Sequence, residues 1–178
     1  MRHSAAHLMA AALCRLYPGI QLDIGPATET GFYYDVEMPH KLSPEDFPVI
    51  EAEMARLAKA DLPFERQEVS RAEAEAQLRA AGQTRFKLER LADIPDGQPI
   101  TLYRCGAFLD LCRGPHLPST GAIRAFKLMS VAGSYYRGDE KNPMLQRLSG
   151  VVRESKEALA AYLHQLEEAQ KRDHRKLG

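Results

Sequence analysis

Two short runs hold the side chains best suited to chemistry. His3-Ser4-Ala5-Ala6-His7 lies near the amino end, and Asp110-Leu111-Cys112-Arg113-Gly114-Pro115-His116 lies far along the chain. On a helix, positions i and i+4 share a face, so the imidazoles of His3 and His7 can point into one small volume. Gly114-Pro115 rules out a regular helix in the second run, so a turn must bring Cys112 and His116 together. These four groups support three readings. They form a chemically complete tetrahedral zinc set. They could instead handle protons, because imidazole accepts a proton from water near neutral pH. Or they are ordinary residues, two polar histidines and a small core cysteine. A lone H-x-x-x-H pair favours the ordinary reading. The added C-x-x-x-H brings metal or catalysis level with it. Spacing alone goes no further.

The elements that must position these groups can be read from periodicity and breakers. His3 to Tyr17 is Ala- and Leu-rich and stops at Pro18-Gly19, which predicts a helix with its functional pair in the first turn. Residues 20–37 alternate around Gly25-Pro26 and Gly31, as in a hairpin. Ser43-Pro44-Glu45-Asp46 reads as a capped helix start, and that helix should run to about Ala60. Phe64–Val69 resembles a short strand, and Ser70 caps a helix that ends near Gly82. Thr84 to Asp93 is ambiguous and reads as one helical turn against a sheet. Pro99–Asp110, Ala125–Tyr136 and Met144–Val152 are strand-like runs between turn residues. From Arg153 a long helix follows, with Leu159, Leu163 and Leu166 at helical spacing. The expected class is α+β: a curved, mainly antiparallel sheet wrapped around helices, with a long C-terminal linker helix. Residues 1–152 would form the functional domain and 153–178 the connecting helix. A site helix beginning beside the first residue, and a basic tail from Lys171 without a finishing cap, read as the ends of an excised domain.

Bulk properties narrow the class. The 178 residues, 44% of them hydrophobic, suit one domain with a real core. No apolar run approaches the roughly 20 residues that a membrane span needs, and no secretion signal is legible. Cys14, Cys105 and Cys112 are too few and odd in number for a disulfide framework, which suits a reducing cytoplasm. Lys plus Arg and Asp plus Glu balance at 24 each. Neutral charge excludes a protein that holds nucleic acid mainly by coating phosphates, so any RNA contact should be short.

The letters themselves resemble a known family. His3-Ser4-Ala5-Ala6-His7-Leu8, Gly25-Pro26, Gly31-Phe32-Tyr33-Tyr34-Asp35 and Asp110 to His116 are similar to the editing domain of bacterial threonyl-tRNA synthetases. So are Phe126-Lys127-Leu128-Met129, Ala132 to Asp139, Met144 to Gly150 and the tail Lys171 to Gly178. The resemblance runs in family order along the whole chain. The related alanyl-type editing proteins share the histidine and cysteine framework but usually spell the second motif Cys-Gly-Gly-Thr-His. Cys112-Arg113-Gly114-Pro115-His116 is the threonyl spelling.

That resemblance implies proofreading hydrolysis of tRNA(Thr) wrongly charged with serine. Serine lacks one methyl of threonine, and rejecting the smaller side chain by pocket shape yields only about 1–3 kcal/mol, so a second hydrolytic sieve is needed. His3, His7, Cys112 and His116 would line the site, with His3 nearest the attacking water or the terminal ribose hydroxyl. Asp110 would hold the substrate ammonium or set a histidine tautomer, and Lys87 would meet a phosphate or the oxyanion. Tyr34 would contact substrate. Lys127, Arg137 and Arg147 would flank the single-stranded tRNA end. The threonyl spelling implies no obligatory metal or other cofactor; if zinc is present, its ligands are His3, His7, Cys112 and His116. The alternatives are a zinc-dependent alanyl-type deacylase and a non-catalytic module that clamps the tRNA end. The expected partner is the 3′ end of seryl-tRNA(Thr), with no membrane, and the parent synthetase is expected to be a homodimer.

Overall fold

A computed structural model describes residues 1–177, with side chains through Asp173. The expected basic tail therefore lies partly outside the described residues, from the His174 side chain onward. The chain runs α1 (Arg2–Leu16), β1 (Gln21–Leu22), β2 (Gly31–Glu37), α2 (Phe47–Lys59), β3 (Glu65–Val69), α3 (Arg71–Ala80) and α4 (Phe86–Asp93). It continues through β4 (Ile100–Cys105), β5 (Phe108–Leu111), β6 (Ala125–Tyr135), β7 (Met144–Arg153) and α5 (Lys156–Leu177). The class is α+β with antiparallel pairing, and the C-terminal helix is present. The strands divide into two sheets, ordered β1-β2-β7-β6 and β3-β4-β5.

α1 is the spine of the larger core. Every residue from Ser4 to Leu13 is buried, as expected of a helix apolar on all sides. Ala5, Ala6, Ala10 and Ala12 leave no exposed surface, so neighbouring elements can approach closely. Phe32 and Val36 of β2, Ile50 and Met54 of α2, and Leu148 and Val152 of β7 belong to the same apolar cluster. A second cluster joins Ala74 and Leu78 of α3 and Leu91 of α4 to Ile100, Leu102 and Leu109. Side chains alternate across a strand. Leu102 and Leu109 therefore face this cluster, while Tyr103 and its cross-strand partner Asp110 take the opposite face, which is the face of the site.

Local chemistry explains most element ends. Asp46 accepts the Ser43 backbone N–H at 2.9 Å and opens a short 3-10 turn ahead of α2. Ser70 Oγ accepts from Glu73 N–H at 3.2 Å and caps α3. α5 begins three residues later than periodicity suggests, because Arg153 still pairs with Ala125 in the β6–β7 ladder. No helix of the described residues is long and apolar enough to cross a membrane.

Candidate active site

Three pieces of backbone converge. The first turns of α1 supply His3, Ser4 and His7; the end of β5 and the turn after it supply Asp110, Cys112 and His116; α4 supplies Lys87. The turn can be this tight because Gly114 takes φ +74, where a Cβ would also lie 2.2 Å from the Tyr103 hydroxyl. Cys112 Sγ then sits 3.3 Å from His3 Nε2 and 3.4 Å from His116 Nε2. The His7 and His116 rings are 4.1 Å apart at their centroids, and His3 and His116 stack at 4.5 Å. Phe64 stacks on His116 at 5.1 Å, and Tyr103 meets it edge-on at 4.5 Å.

Beneath this cluster lies a buried charge network centred on Asp110, whose side chain is 2% exposed. Tyr34 donates its hydroxyl to Oδ2 at 2.6 Å, and His7 Nε2 lies 3.0 Å from the same oxygen. The Lys87 ammonium stands 2.5 Å from Oδ1. Burial pushes the Asp110 carboxyl up, but Lys87 and His7 outweigh it and hold the group below its ordinary value. Asp110 is therefore ionised, and the His7 Nε2 edge faces it at 3.0 Å. Tyr34 is wholly buried with its ring against Gly25, where a Cβ would lie 2.1 Å from Tyr34 Cδ2.

Burial sets the protonation of the upper cluster. It pulls His7 down to about 4 and His116 to about 3, the latter helped by the neighbouring imidazoles. His3 is lowered by the same cause, with Asp110 opposing. The Cys112 thiol is pushed up to about 12 by burial and by the Asp110 charge. At neutral pH the site thus presents neutral imidazoles and a protonated thiol. Such a thiol is a poor nucleophile, whereas a neutral imidazole can accept a proton.

The donor set also fits a metal. One donor atom from each of His3, His7, Cys112 and His116 falls within 4.8 Å of the others. The Sγ–Nε2 separations of 3.3 and 3.4 Å are close to the edge of a tetrahedron with zinc-like bond lengths. Asp110 behind His7 and Ser4 behind His116 resemble the supporting contacts of zinc histidines.

Seven of the residues singled out in the sequence therefore meet: His3, His7, Tyr34, Lys87, Asp110, Cys112 and His116. Lys87 and Tyr34 face inward to Asp110 rather than outward. The expected flankers lie elsewhere. Arg137 is held by Asp93, and Arg147 grips Asp35 at 2.8 and 3.0 Å while covering the Tyr33 ring. Lys127 projects from β6, at the far edge of the larger sheet. Sequence reasoning missed Ser4, which is fully buried; its Oγ accepts the Leu117 N–H at 2.9 Å and lies 3.0 Å from His116 Nδ1. With one lone pair taken by Leu117, the hydroxyl is placed to fix the His116 ring. The signal was a single hydroxyl within the apolar face of α1.

Comparison with known proteins finds relatives of one kind. The family described as threonyl and alanyl tRNA synthetase second additional domain matches residues 100–149, which hold β4, β5 and the Cys-turn-His segment. The chain is 55% identical over 178 residues, all of it, to a threonine–tRNA ligase of Geobacillus kaustophilus, of which it covers 27%. It is 55% identical over 178 residues to the enzyme of that name from Laribacter hongkongensis, covering 28% of it. The Clostridioides difficile protein of the same name is 54% identical over 177 residues, 99% of this chain and 28% of that one. The chain thus spans under a third of the length of these relatives. Identity of this order runs along every element that builds the site, so the chain is similar throughout to one segment of threonine–tRNA ligases, and its residues 100–149 match the second additional domain of threonyl and alanyl synthetases.

Proposed function

We propose that this domain hydrolyses the aminoacyl ester of seryl-tRNA(Thr), proofreading within a threonine–tRNA ligase to which α5 connects it. The observation that carries the reading is the set of neutral imidazoles and one protonated thiol, drawn from α1 and from the turn after β5, above a buried carboxylate. An aminoacyl ester is already reactive, so a positioned water and a base suffice. His3 is half-exposed and, among the described residues, in contact with no carboxylate, and it takes the proton from water or meets the terminal ribose hydroxyl. Ser4 aligns His116, Asp110 aligns His7, and Lys87 with Tyr34 keeps Asp110 charged and still. Asp110 acts by setting the His7 tautomer, since its depth beneath the rings suits that better than direct grip on a substrate ammonium. The reaction proceeds by direct attack of water, because a thiol near 12 is protonated and an acyl-enzyme adds little to an activated ester.

A second reading draws on the donor set: the same four residues would hold zinc, which would supply an activated water at this position. We favour the metal-free route on the Cys-Arg-Gly-Pro-His spelling. The test is release of amino acid from seryl-, alanyl- and threonyl-tRNA by metal-analysed protein, with and without EDTA. Serine release that EDTA leaves intact supports the metal-free reading. Activity that tracks zinc content moves the assignment to the second, and binding without release reduces the domain to a clamp on the tRNA end.

A further inference from the structure

Beside the candidate active site runs a groove that none of the expected flanking residues enters. Its outer part, a cavity of about 290 Å³, is lined by Arg66, Gln98, Pro99, Thr101 and Arg113. An adjoining cavity of about 170 Å³ shares Pro99, Thr101 and Arg113 and is lined as well by Arg90, Ile94, Leu111 and Cys112. The shared lining makes the two cavities neighbours, and Cys112 joins the second to the site. The β-sheet explains the alignment. Arg66 of β3 pairs with Tyr103, and Tyr103 pairs with Asp110. Residues directly opposite one another point to the same face, so the Arg66 side chain leaves the sheet on the side of the histidines. The floor is tied to the site as well: Cys112 N–H donates to Thr101 O at 3.1 Å, and Thr101 Oγ1 donates to Cys112 O at 2.5 Å.

The cations of this groove differ from those expected earlier. Arg137 and Arg147 are each neutralised by an aspartate. Arg66 and Arg113 are exposed, and among the described residues neither has a carboxylate within ion-pair distance. Gln98 Oε1 accepts from Arg113 Nη2 at 3.0 Å, which orients the guanidinium without cancelling its charge. Glu68 follows Arg66 on the same sheet face but does not line the groove. Two exposed guanidinium groups without a carboxylate partner, one of them next to Cys112 in the chain, suit a phosphodiester.

The geometry points to Arg66 and Arg113 as the binding site for backbone phosphates of the single-stranded RNA 3′ end that carries the ester. This rests on the proposed hydrolysis for the identity of the RNA, and it replaces Lys127 and Arg137 as the strand's guides. Fixing the nucleotides behind the terminal ribose would place the ester at His3 and Cys112 without requiring a broad basic surface.

The test uses the full chain and its Arg66→Ala, Arg113→Ala double variant, with Lys127→Ala, Arg137→Ala as the control pair. Binding of a short single-stranded RNA oligonucleotide is titrated over a range of salt. The double variant should lose about tenfold or more in affinity, and its salt slope should flatten by about 1.4, roughly 0.7 for each phosphate no longer neutralised. Unchanged affinity and slope, or a loss confined to the control pair, overturns the assignment. Hydrolysis of 3′-O-seryl-adenosine, which has no phosphate, is measured in parallel. Measured on the wild-type chain, it reports on the deacylase reading alone: serine release there with RNA affinity unchanged in the double variant overturns the phosphate assignment and leaves the deacylase reading standing, whereas no release removes the deacylase reading itself.

Discussion

Replacing Lys87 with Met should cost this domain a large part of its stability, and the cost should fade in acid. Lys87 and Asp110 are 4% and 2% exposed at the side chain, and their charged atoms are 2.5 Å apart. Methionine keeps much of the stem but leaves a buried carboxylate with only the Tyr34 hydroxyl and the edge of the His7 ring. Removing one partner of a buried pair costs about 3–5 kcal/mol, against a total stability on the order of 5–15 kcal/mol. For a chain of this size that is a fall in Tm of roughly 6–20 °C. The pH dependence follows from the depressed carboxyl. In the native protein Asp110 contributes stability that is full above its unfolded value of 3.8 and is lost as pH falls through the lower folded value. In the variant burial dominates and the carboxyl titrates above 3.8 instead. Its deficit relative to wild type should be greatest at neutral pH and shrink as the variant's carboxyl protonates. Urea unfolding at several pH values, completed as a double-mutant cycle with Asp110→Asn, measures both effects. A deficit below about 1 kcal/mol at neutral pH, or one that does not change with pH, would refute the buried-network argument.

Other consequences are simpler to check. Ser4→Ala strips the Leu117 N–H of its acceptor and should cost about 1–3 kcal/mol; it should also change the His116 tautomer population seen by nitrogen NMR. Gly25→Ala forces a methyl into the Tyr34 ring, so chemical denaturation should show a loss of about 1–3 kcal/mol from overpacking. Cys112→Ser should retain most serine release if water attacks directly. A collapse together with loss of bound zinc would favour the metal reading. His3→Ala should keep the native circular dichroism, since His3 is only half-buried, while serine release falls by roughly 10²–10⁴.

The parts of this molecule that follow local rules were legible in its sequence. The Ala-rich run of α1 puts His3 and His7 on one face, Gly114-Pro115 forces the turn that returns His116 to Cys112, and Ser70 caps its helix. What escaped depends on pairing between distant segments. Nothing local in β3, where Glu65, Arg66, Gln67 and Glu68 are all exposed, indicates that it joins β4 and β5 in a separate sheet. α4 is a short helix that local sequence leaves ambiguous, yet it delivers a lysine whose burial makes sense only beside Asp110. Tyr34 looked like a substrate contact because its partner lies seventy-six positions away. Ser4 was overlooked because its partners, Leu117 and His116, come from the other end of the site. Arg137 and Arg147 looked free because their carboxylate partners are remote in sequence.

The most direct test of the central claim is a crystal structure of this domain with a non-hydrolysable seryl-adenosine analogue. The bond that replaces the ester should lie between the His3 ring and Cys112, with the 5′ side of the nucleoside directed toward Arg113 and the His7–Asp110 pair intact beneath. An analogue seated away from the three imidazoles, with its ester position turned to open solvent, would contradict the account.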